Sequence, residues 1–187
     1  MKTIKFRYCL WAVACSAMLL IAAATERQYT IKAGFLYNFL LFAQWPDQAF
    51  AEPDSPIVIG ILGENPFGKL FDVIEGKPVN GRPLVVIEFK NDAPIDLLKS
   101  CHLLFICPSI PTDNPGELNL ENILGHLEGS PVLTVGEVDG FITAGGMINF
   151  VVEENNITFE INKRAADRSG VRLSSKLLRL AIRVIRD

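Results

Sequence analysis

Near its end the chain reads Met147-Ile148-Asn149-Phe150-Val151-Val152, then Glu153-Glu154-Asn155-Asn156, then Ile157-Thr158-Phe159-Glu160-Ile161. Both outer runs are rich in β-branched and aromatic residues, which favour strands. The four polar residues between them predict a hairpin turn. The glycines just before, Gly145 and Gly146, predict a backbone turn at positive φ that leads into the hairpin. The stretch therefore predicts an antiparallel pair of strands at one edge of a sheet.

The rest of the sheet is predicted from four short apolar runs earlier in the chain. Continuous apolar runs of this length are typical of strands buried on both faces. They are Ile57–Leu62, Leu84–Phe89, Leu103–Cys107 and Val132–Val135. Predicted helices precede or separate them, at Glu26–Gln44, Phe67–Glu75, Pro94–Lys99 and Glu117–Leu127. This alternation favours an α/β fold. We expect a single three-layer domain, with a mostly parallel sheet flanked by helices and an antiparallel C-terminal hairpin at one edge.

Residues 1–24 have the build of a cleaved secretory signal peptide. Lys2, Lys5 and Arg7 precede an apolar run from Tyr8 to Ala24, which ends in three alanines. A basic start, an apolar centre and small residues at the cleavage positions are typical of such peptides. An uncleaved membrane anchor is the alternative, since a run of this length is near the lower limit for spanning a bilayer. On the first interpretation, residues 25–187 form the mature domain, which in a Gram-negative bacterium would be periplasmic.

Charge is distributed unevenly along the predicted mature chain. It keeps 15 basic and 21 acidic residues, a net charge of −6. The segment from Lys163 onward has 8 basic and 2 acidic residues, whereas residues 25–162 carry a net charge of −12. A basic end of this kind suits an acidic partner or an anionic lipid surface. Packing of the basic end against acidic neighbours within the same chain is the alternative.

The basic end is predicted to be a helix from Ser175 to the end of the chain, with Ser174 as its N-cap. Lys176, Arg179, Arg183 and Arg186 follow at spacings that place them on one face. The apolar residues cover a wider arc than packing on one sheet face requires. The pattern indicates a protein-binding surface with an apolar centre and a basic rim. A membrane-surface helix, or cover by a neighbouring loop, would also account for it.

Motifs that carry chemistry are missing from the sequence. We find no phosphate-binding loop, dinucleotide fingerprint or nucleophile elbow. Cys101 and Cys107 flank one predicted strand, about 20 Å apart, which is too far for a disulfide. Only two histidines, His102 and His126, accompany them, so no zinc site is expected. We therefore expect neither enzymatic activity nor a cofactor, metal or nucleic-acid partner.

Several blocks, taken in order, resemble the YfiR-like family of small periplasmic repressors. They are Lys32–Phe39, Trp45-Pro46, Gly63–Gly68, Cys101–Ile106, Pro131–Val135, Gly145–Phe150, Thr158–Asn162 and Leu173–Ala181. No single block is a catalytic fingerprint, and it is their joint order that makes the resemblance specific. Relatives commonly join the equivalent of Cys101 to the first strand by a disulfide. Here that strand, Ile57–Leu62, has no cysteine, so no disulfide within the chain is expected.

The resemblance implies a regulatory protein rather than an enzyme. Such proteins bind the periplasmic sensor domain of a YfiN-like inner-membrane diguanylate cyclase and hold it inactive. A YfiB-like outer-membrane lipoprotein draws the repressor away, so that cyclic di-GMP, biofilm formation and motility come under control. The family match indicates only the segment that would bind the partner. Charge and periodicity within it select Glu160, Arg164, Arg168, Lys176, Arg179, Leu180 and Arg183.

A periplasmic small-molecule binding module is the alternative function. Loops that follow parallel strands commonly form ligand pockets. The candidate contacts are Asn65, Arg82 and Asn149, together with the proline-rich loop Pro108–Gly116. In either case, the broad apolar faces of the first and last predicted helices make a homodimer plausible.

Overall fold

The computed structural model describes residues 24–112, 119–153 and 156–186. The helices in this part of the chain are α1 (24–42), α2 (Leu120–Leu127), α3 (Lys163–Arg168) and α4 (Ser175–Leu180). Short 3-10 helices cover Asp47–Ala49, Leu70–Val73 and Ile95–Ser100. The strands are β1 (Ala43–Gln44), β2 (Ile57–Leu62), β3 (Pro78–Val79), β4 (Arg82–Phe89), β5 (Leu103–Ile106), β6 (Leu133–Gly136), β7 (Ile148–Glu153), β8 (Asn156–Asn162), β9 (Arg172–Leu173) and β10 (Arg183–Ile185).

Eight of these strands form one sheet, in the order β10-β8-β7-β6-β5-β2-β4-β3. Strands β4, β2, β5, β6 and β7 are parallel to one another. Strand β8 turns back antiparallel to β7, and β10 then pairs in parallel with β8 at the outer edge. The small pair β1–β9 lies outside this sheet and joins the end of α1 to the chain before α4. The predicted α/β architecture is therefore confirmed.

Helices and loops cover the two faces of the sheet with separate apolar cores. The first core holds α1 against the hairpin, since the Phe39 ring lies 5.7 Å from Phe150 and 5.0 Å from Phe159. The second core packs α2 and the Ile95–Ser100 turn against the opposite face. In the second core Phe141 fits between Gly136 and Gly146, where an added Cβ would lie 2.4 Å and 2.1 Å from its ring. These glycines allow the close approach.

The strands follow the sequence prediction closely, and the helices follow it less well. All four apolar runs are central strands, and the hairpin forms as predicted, with Gly145 at a φ of 106°. The predicted helix Phe67–Glu75 is reduced to a 3-10 turn, which lies between Gly68 and Gly76, both at positive φ. The start of the predicted helix Glu117–Leu127 lies partly outside the described residues, as does the loop Pro108–Gly116.

The prediction of one helix from Ser175 to the chain end is wrong. Helix α4 ends at Leu180, and Ala181 already has extended backbone angles. The chain then forms β10, because pairing with β8 satisfies backbone groups that an isolated helix end would leave open. The predicted signal peptide lies outside the described residues except for Ala24. No helix within the described ranges is long and apolar enough to cross a membrane.

Candidate functional site

The candidate partner-binding residues lie on α3, α4 and the outer strands of the sheet. Helix α3 starts directly after β8 and is capped by Asn162, whose side chain accepts a hydrogen bond from Ala165 N. Helix α4 is capped by Ser174 in the same way, through Leu177 N. Both caps are residues that sequence preference favours at these positions. The short helices α3 and α4 and strand β10 thus follow one another at the end of the chain, and β10 forms the edge of the sheet.

Two predicted partner-binding residues, Glu160 and Arg183, pair with each other across the last two strands. They are register partners on β8 and β10, and Arg183 Nε and Nη2 each lie 2.7 Å from Glu160 Oε2. Only 14% of the Glu160 side chain is exposed, against 55% for Arg183. A hydrogen bond between a guanidinium and a carboxylate, both charged, is stronger than one between neutral groups. This pair anchors the edge strand, and the guanidinium still faces solvent.

Asn149 lies beside Glu160 on the next strand inward, on the side away from Arg183. It is the register partner of Glu160 on the antiparallel strand β7, so the two side chains share a face of the sheet. Asn149 is buried, and its Oδ1 has no hydrogen-bond partner among the described residues. The structure therefore brings together two residues predicted for partner binding and one predicted for ligand binding.

The remaining basic candidates differ in how freely they face solvent. Arg168 lies 3.4 Å from Glu128 at the end of α2, and Lys176 lies over the Phe42 ring, 4.8 Å from its centre. Arg164 and Arg179 are exposed. Of these, Arg179 lies beside the largest exposed apolar group of this segment, Leu180.

Leu180 and Ile182 are two exposed apolar residues at the junction of α4 and β10. Their exposures are 58% and 48%, although the adjoining residues Leu177 and Val184 are buried or half-buried. A solitary exposed leucine is common, whereas two exposed apolar residues in one short segment that also carries exposed arginines have the composition of an interface centre and rim. We call Arg179, Leu180, Ile182 and Arg183 the C-terminal surface.

The ligand-binding candidates are not brought together. Arg82 begins β4, at the amino end of the parallel strands, whereas Asn65 follows β2 at the carboxyl end. Asn65 donates to Glu88 and accepts from Phe67 N, so it shapes its own loop. Asn149 is buried within the sheet, several strands away from Arg82.

Arg82 borders a cavity of about 400 Å³, with Phe42, Trp45 and Phe50 among the lining residues. Its guanidinium stacks 3.6 Å from the centre of the Phe50 ring and donates to the carbonyl of Ser55. These contacts fix the loop before β2, so Arg82 has a structural role at this place.

A buried charged cluster, which the sequence analysis did not identify, holds α1 to the carboxyl end of the sheet. Lys32 is 2% exposed and forms an ion pair with Glu137, which follows β6. Tyr29 donates to the same carboxylate at 2.8 Å, and burial together with this bond raises the pKa of Tyr29 well above its ordinary value. The sequence does contain a signal for this cluster. Lys32 lies on the same helix face as the apolar residues Leu36 and Phe39, and a buried cation requires a buried anion.

The two cysteines are free, buried thiols at opposite ends of β5. Cys101 belongs to the second core and Cys107 to the first. Burial raises the pKa of each thiol to about 12, and nearby carboxylates add to the effect at Cys107. Protonated thiols are poor nucleophiles and poor metal ligands. In the described ranges, no group of three or more His, Cys, Asp or Glu residues is placed to hold a metal ion.

Comparison with protein families gives a match over almost the whole described chain. A family model described as YfiR/HmsC-like matches residues 29–182, from within α1 to the residue before β10. A comparison with curated proteins gave no match. The matched range includes both the buried cluster and most of the C-terminal surface.

Proposed function

Because the chain belongs to the YfiR/HmsC-like family of periplasmic regulators, we propose that it represses an inner-membrane diguanylate cyclase by binding the periplasmic sensor domain of that enzyme. An outer-membrane lipoprotein would relieve the repression by competing for the regulator. The consequence would be control of cyclic di-GMP, and through it of biofilm formation and motility. The role requires no chemistry in this chain. It requires only different affinities for the two states of the cyclase.

The observation that carries the proposal is the C-terminal surface on a member of this family. Leu180 and Ile182 supply exposed apolar area, and Arg179 and Arg183 supply positive charge beside it. Interface hot spots are enriched in arginine, and a charged rim steers association. An acidic sensor-domain surface with an apolar centre is the complementary partner. Arg164 and Lys176 would extend the basic rim.

The test is a co-purification of the tagged protein from its own envelope. We expect a membrane-bound diguanylate cyclase to co-purify with the wild-type protein, and recovery to fall at least about tenfold with Leu180→Asp or Arg179→Glu, as for hot-spot residues. Leu97→Asp is the matched apolar control, because Leu97 is 52% exposed on the Ile95–Ser100 turn. Lys90→Glu, at an exposed residue just after β4, is the matched charge control.

Repression itself is measured as the cellular cyclic di-GMP level. Loss of the protein should raise this level. Supplying the Leu97→Asp variant should lower the level again, whereas supplying Leu180→Asp should not. If the cyclase is recovered with both Leu97→Asp and Leu180→Asp, the C-terminal surface is not where the cyclase binds. If no cyclase is recovered and cyclic di-GMP does not change, the repressor function is wrong.

A small-molecule binding module is the second candidate, favoured by the cavity beside Arg82. It is the weaker one, because Arg82 is already bound to Phe50 and Ser55, and because Asn65 and Asn149 lie elsewhere. It would gain support if small molecules extracted from the periplasm raised the melting temperature of the wild-type protein but not of Arg82→Ala.

A further inference from the structure

The two edges of the eight-stranded sheet differ in how they are protected. Strand β3, at one edge, has only two residues, begins with Pro78 and is followed by Asn80 at a φ of 51°. Proline and a very short strand are common means by which proteins prevent a further strand from pairing at an edge. Strand β10 forms the other edge and contains no proline, and among the described residues no strand pairs with its outer side. Backbone N–H and C=O groups at this edge are therefore open to a further strand.

The residues along β10 favour extended chain and are held firmly on their inner side. Ile182, Val184 and Ile185 are β-branched, and such residues are enriched in strands. Val184 packs against the first core and Ile185 against the second, as expected for successive residues of a strand. Ile182, directly before β10, is 48% exposed. A fixed edge strand with apolar surface beside it loses little conformational entropy when a partner binds.

Positive charge borders this open edge and selects what can pair with it. Arg183 lies in β10, Arg186 follows it and Arg179 lies in α4, and all three are exposed. The carboxylate next to Arg183, that of Glu160, lies on the inner side of β10. Opposite charges on neighbouring strands stabilise a sheet and like charges destabilise it. An acidic strand is therefore favoured at the outer side of β10, whereas a second copy of β10 would bring arginine against arginine.

We infer that β10 pairs with an extended acidic segment of a partner protein, which adds to the sheet as a further strand. In this mode of recognition main-chain hydrogen bonds supply affinity, and side chains that alternate along the added strand supply specificity. Acidic side chains of the segment lie beside Arg183, and an apolar residue of the segment covers Ile182. The inference rests on the proposed function only for the identity of the partner, in which case the segment belongs to the sensor domain of the cyclase.

The first test uses a labelled synthetic peptide and needs no cyclase. The peptide alternates aspartate and valine over about six residues, a usual strand length, and fluorescence anisotropy follows its binding to the protein purified from the periplasm. Two further peptides have the same side chains, but one is methylated at its aspartate nitrogens and the other at its valine nitrogens. Each lacks the N–H donors of one edge only, because the direction of the N–H groups alternates along a strand. We expect one methylated peptide to bind like the unmodified one and the other at least about tenfold more weakly.

Charge is tested in the same assay with Arg186→Glu, which should weaken peptide binding by about threefold or more. Lys90→Glu is the matched control, because Lys90 is also exposed but follows β4, away from this edge, and it should leave binding unchanged. A peptide with lysine in place of aspartate should not bind. Equal binding of the two methylated peptides, equal effects of the two charge reversals, or no binding of the acidic peptide below about 1 mM would each overturn the inference.

The second test is hydrogen exchange on the complex that co-purifies from the envelope. Exchange of backbone amides in β10 should be slower in the complex than in the protein alone, whereas exchange in β3, at the opposite edge, should not change. A cyclase that co-purifies without protecting β10 would overturn the inference and leave the proposed function standing. If no cyclase is recovered while one methylated peptide still binds and the other does not, the proposed function is wrong and the strand pairing stands.

Discussion

His102 shows how burial changes the behaviour of a single side chain in this protein. It is 5% exposed, its Nδ1 accepts a hydrogen bond from Val58 N at 3.1 Å, and its ring stacks on Phe50 at 4.4 Å. No described atom forms a hydrogen bond with its Nε2. Burial lowers the pKa of His102 to about 4; the nearby Ala49 backbone opposes the shift and Arg82 adds to it. The imidazole therefore stays neutral at neutral pH and acts as a packing group.

This pKa predicts acid sensitivity of the folded state. The unfolded chain binds a proton at His102 near pH 6.5, whereas the folded chain does so only near pH 4. Between these values the unfolded state holds more protons, so the free energy of unfolding falls as the pH is lowered from about 6.5 to about 4. The loss attributable to His102 is up to about 3 kcal/mol.

The measurement is urea unfolding at pH 7, 5.5 and 4, comparing the wild-type protein with His102→Gln. Glutamine keeps an acceptor for Val58 N but has no proton to bind in this range, so the variant should lose less stability on acidification. His126→Gln is the control, because His126 is exposed on α2. Parallel pH dependences of the wild-type protein and His102→Gln would contradict the prediction.

At the scale of secondary structure, the strands could be predicted from the sequence and the end of the chain could not. The run Ile57–Leu62 forms a strand with the predicted bounds, because a short run without charged or polar side chains, rich in β-branched residues, favours a strand buried on both faces. The segment after Leu180 fits two patterns, since its arginines repeat at helical spacing while Arg183, Val184 and Ile185 also fit an extended chain. Pairing with β8 selects the extended conformation, and no local sequence pattern reveals that pairing.

The pair between Glu160 and Arg183 predicts a measurable coupling between β8 and β10. In a double-mutant cycle of Glu160→Gln and Arg183→Met, we expect a coupling free energy of about 1 kcal/mol in urea unfolding, since the carboxylate is largely buried and the contact uses two nitrogens. Lys163 and Asp167, an exposed pair within α3, should couple by only about 0.3–0.5 kcal/mol. A coupling near zero for the first pair would mean that this ion pair does not stabilise the edge strand.

At the scale of the whole molecule, positive charge is concentrated at the end of an otherwise acidic chain. The segment from Lys163 onward has 8 basic and 2 acidic residues, and the C-terminal surface lies within it. The sequence revealed the charge asymmetry and the breadth of the apolar faces. It could not show which parts are exposed, because Leu177 and Leu180 lie three residues apart on α4, and only the packing buries the first.

Ionic strength should weaken the binding of the proposed partner to the C-terminal surface. Exposed charges are screened over about 10 Å at 0.1 M salt and about 3 Å at 1 M, whereas apolar burial is not weakened by salt. Raising sodium chloride from about 50 mM to about 500 mM should therefore reduce the amount of cyclase that the tagged protein retains in a pull-down. If retention does not change over this range, charge does not contribute to the contact, and the arginines of the C-terminal surface are then not part of it.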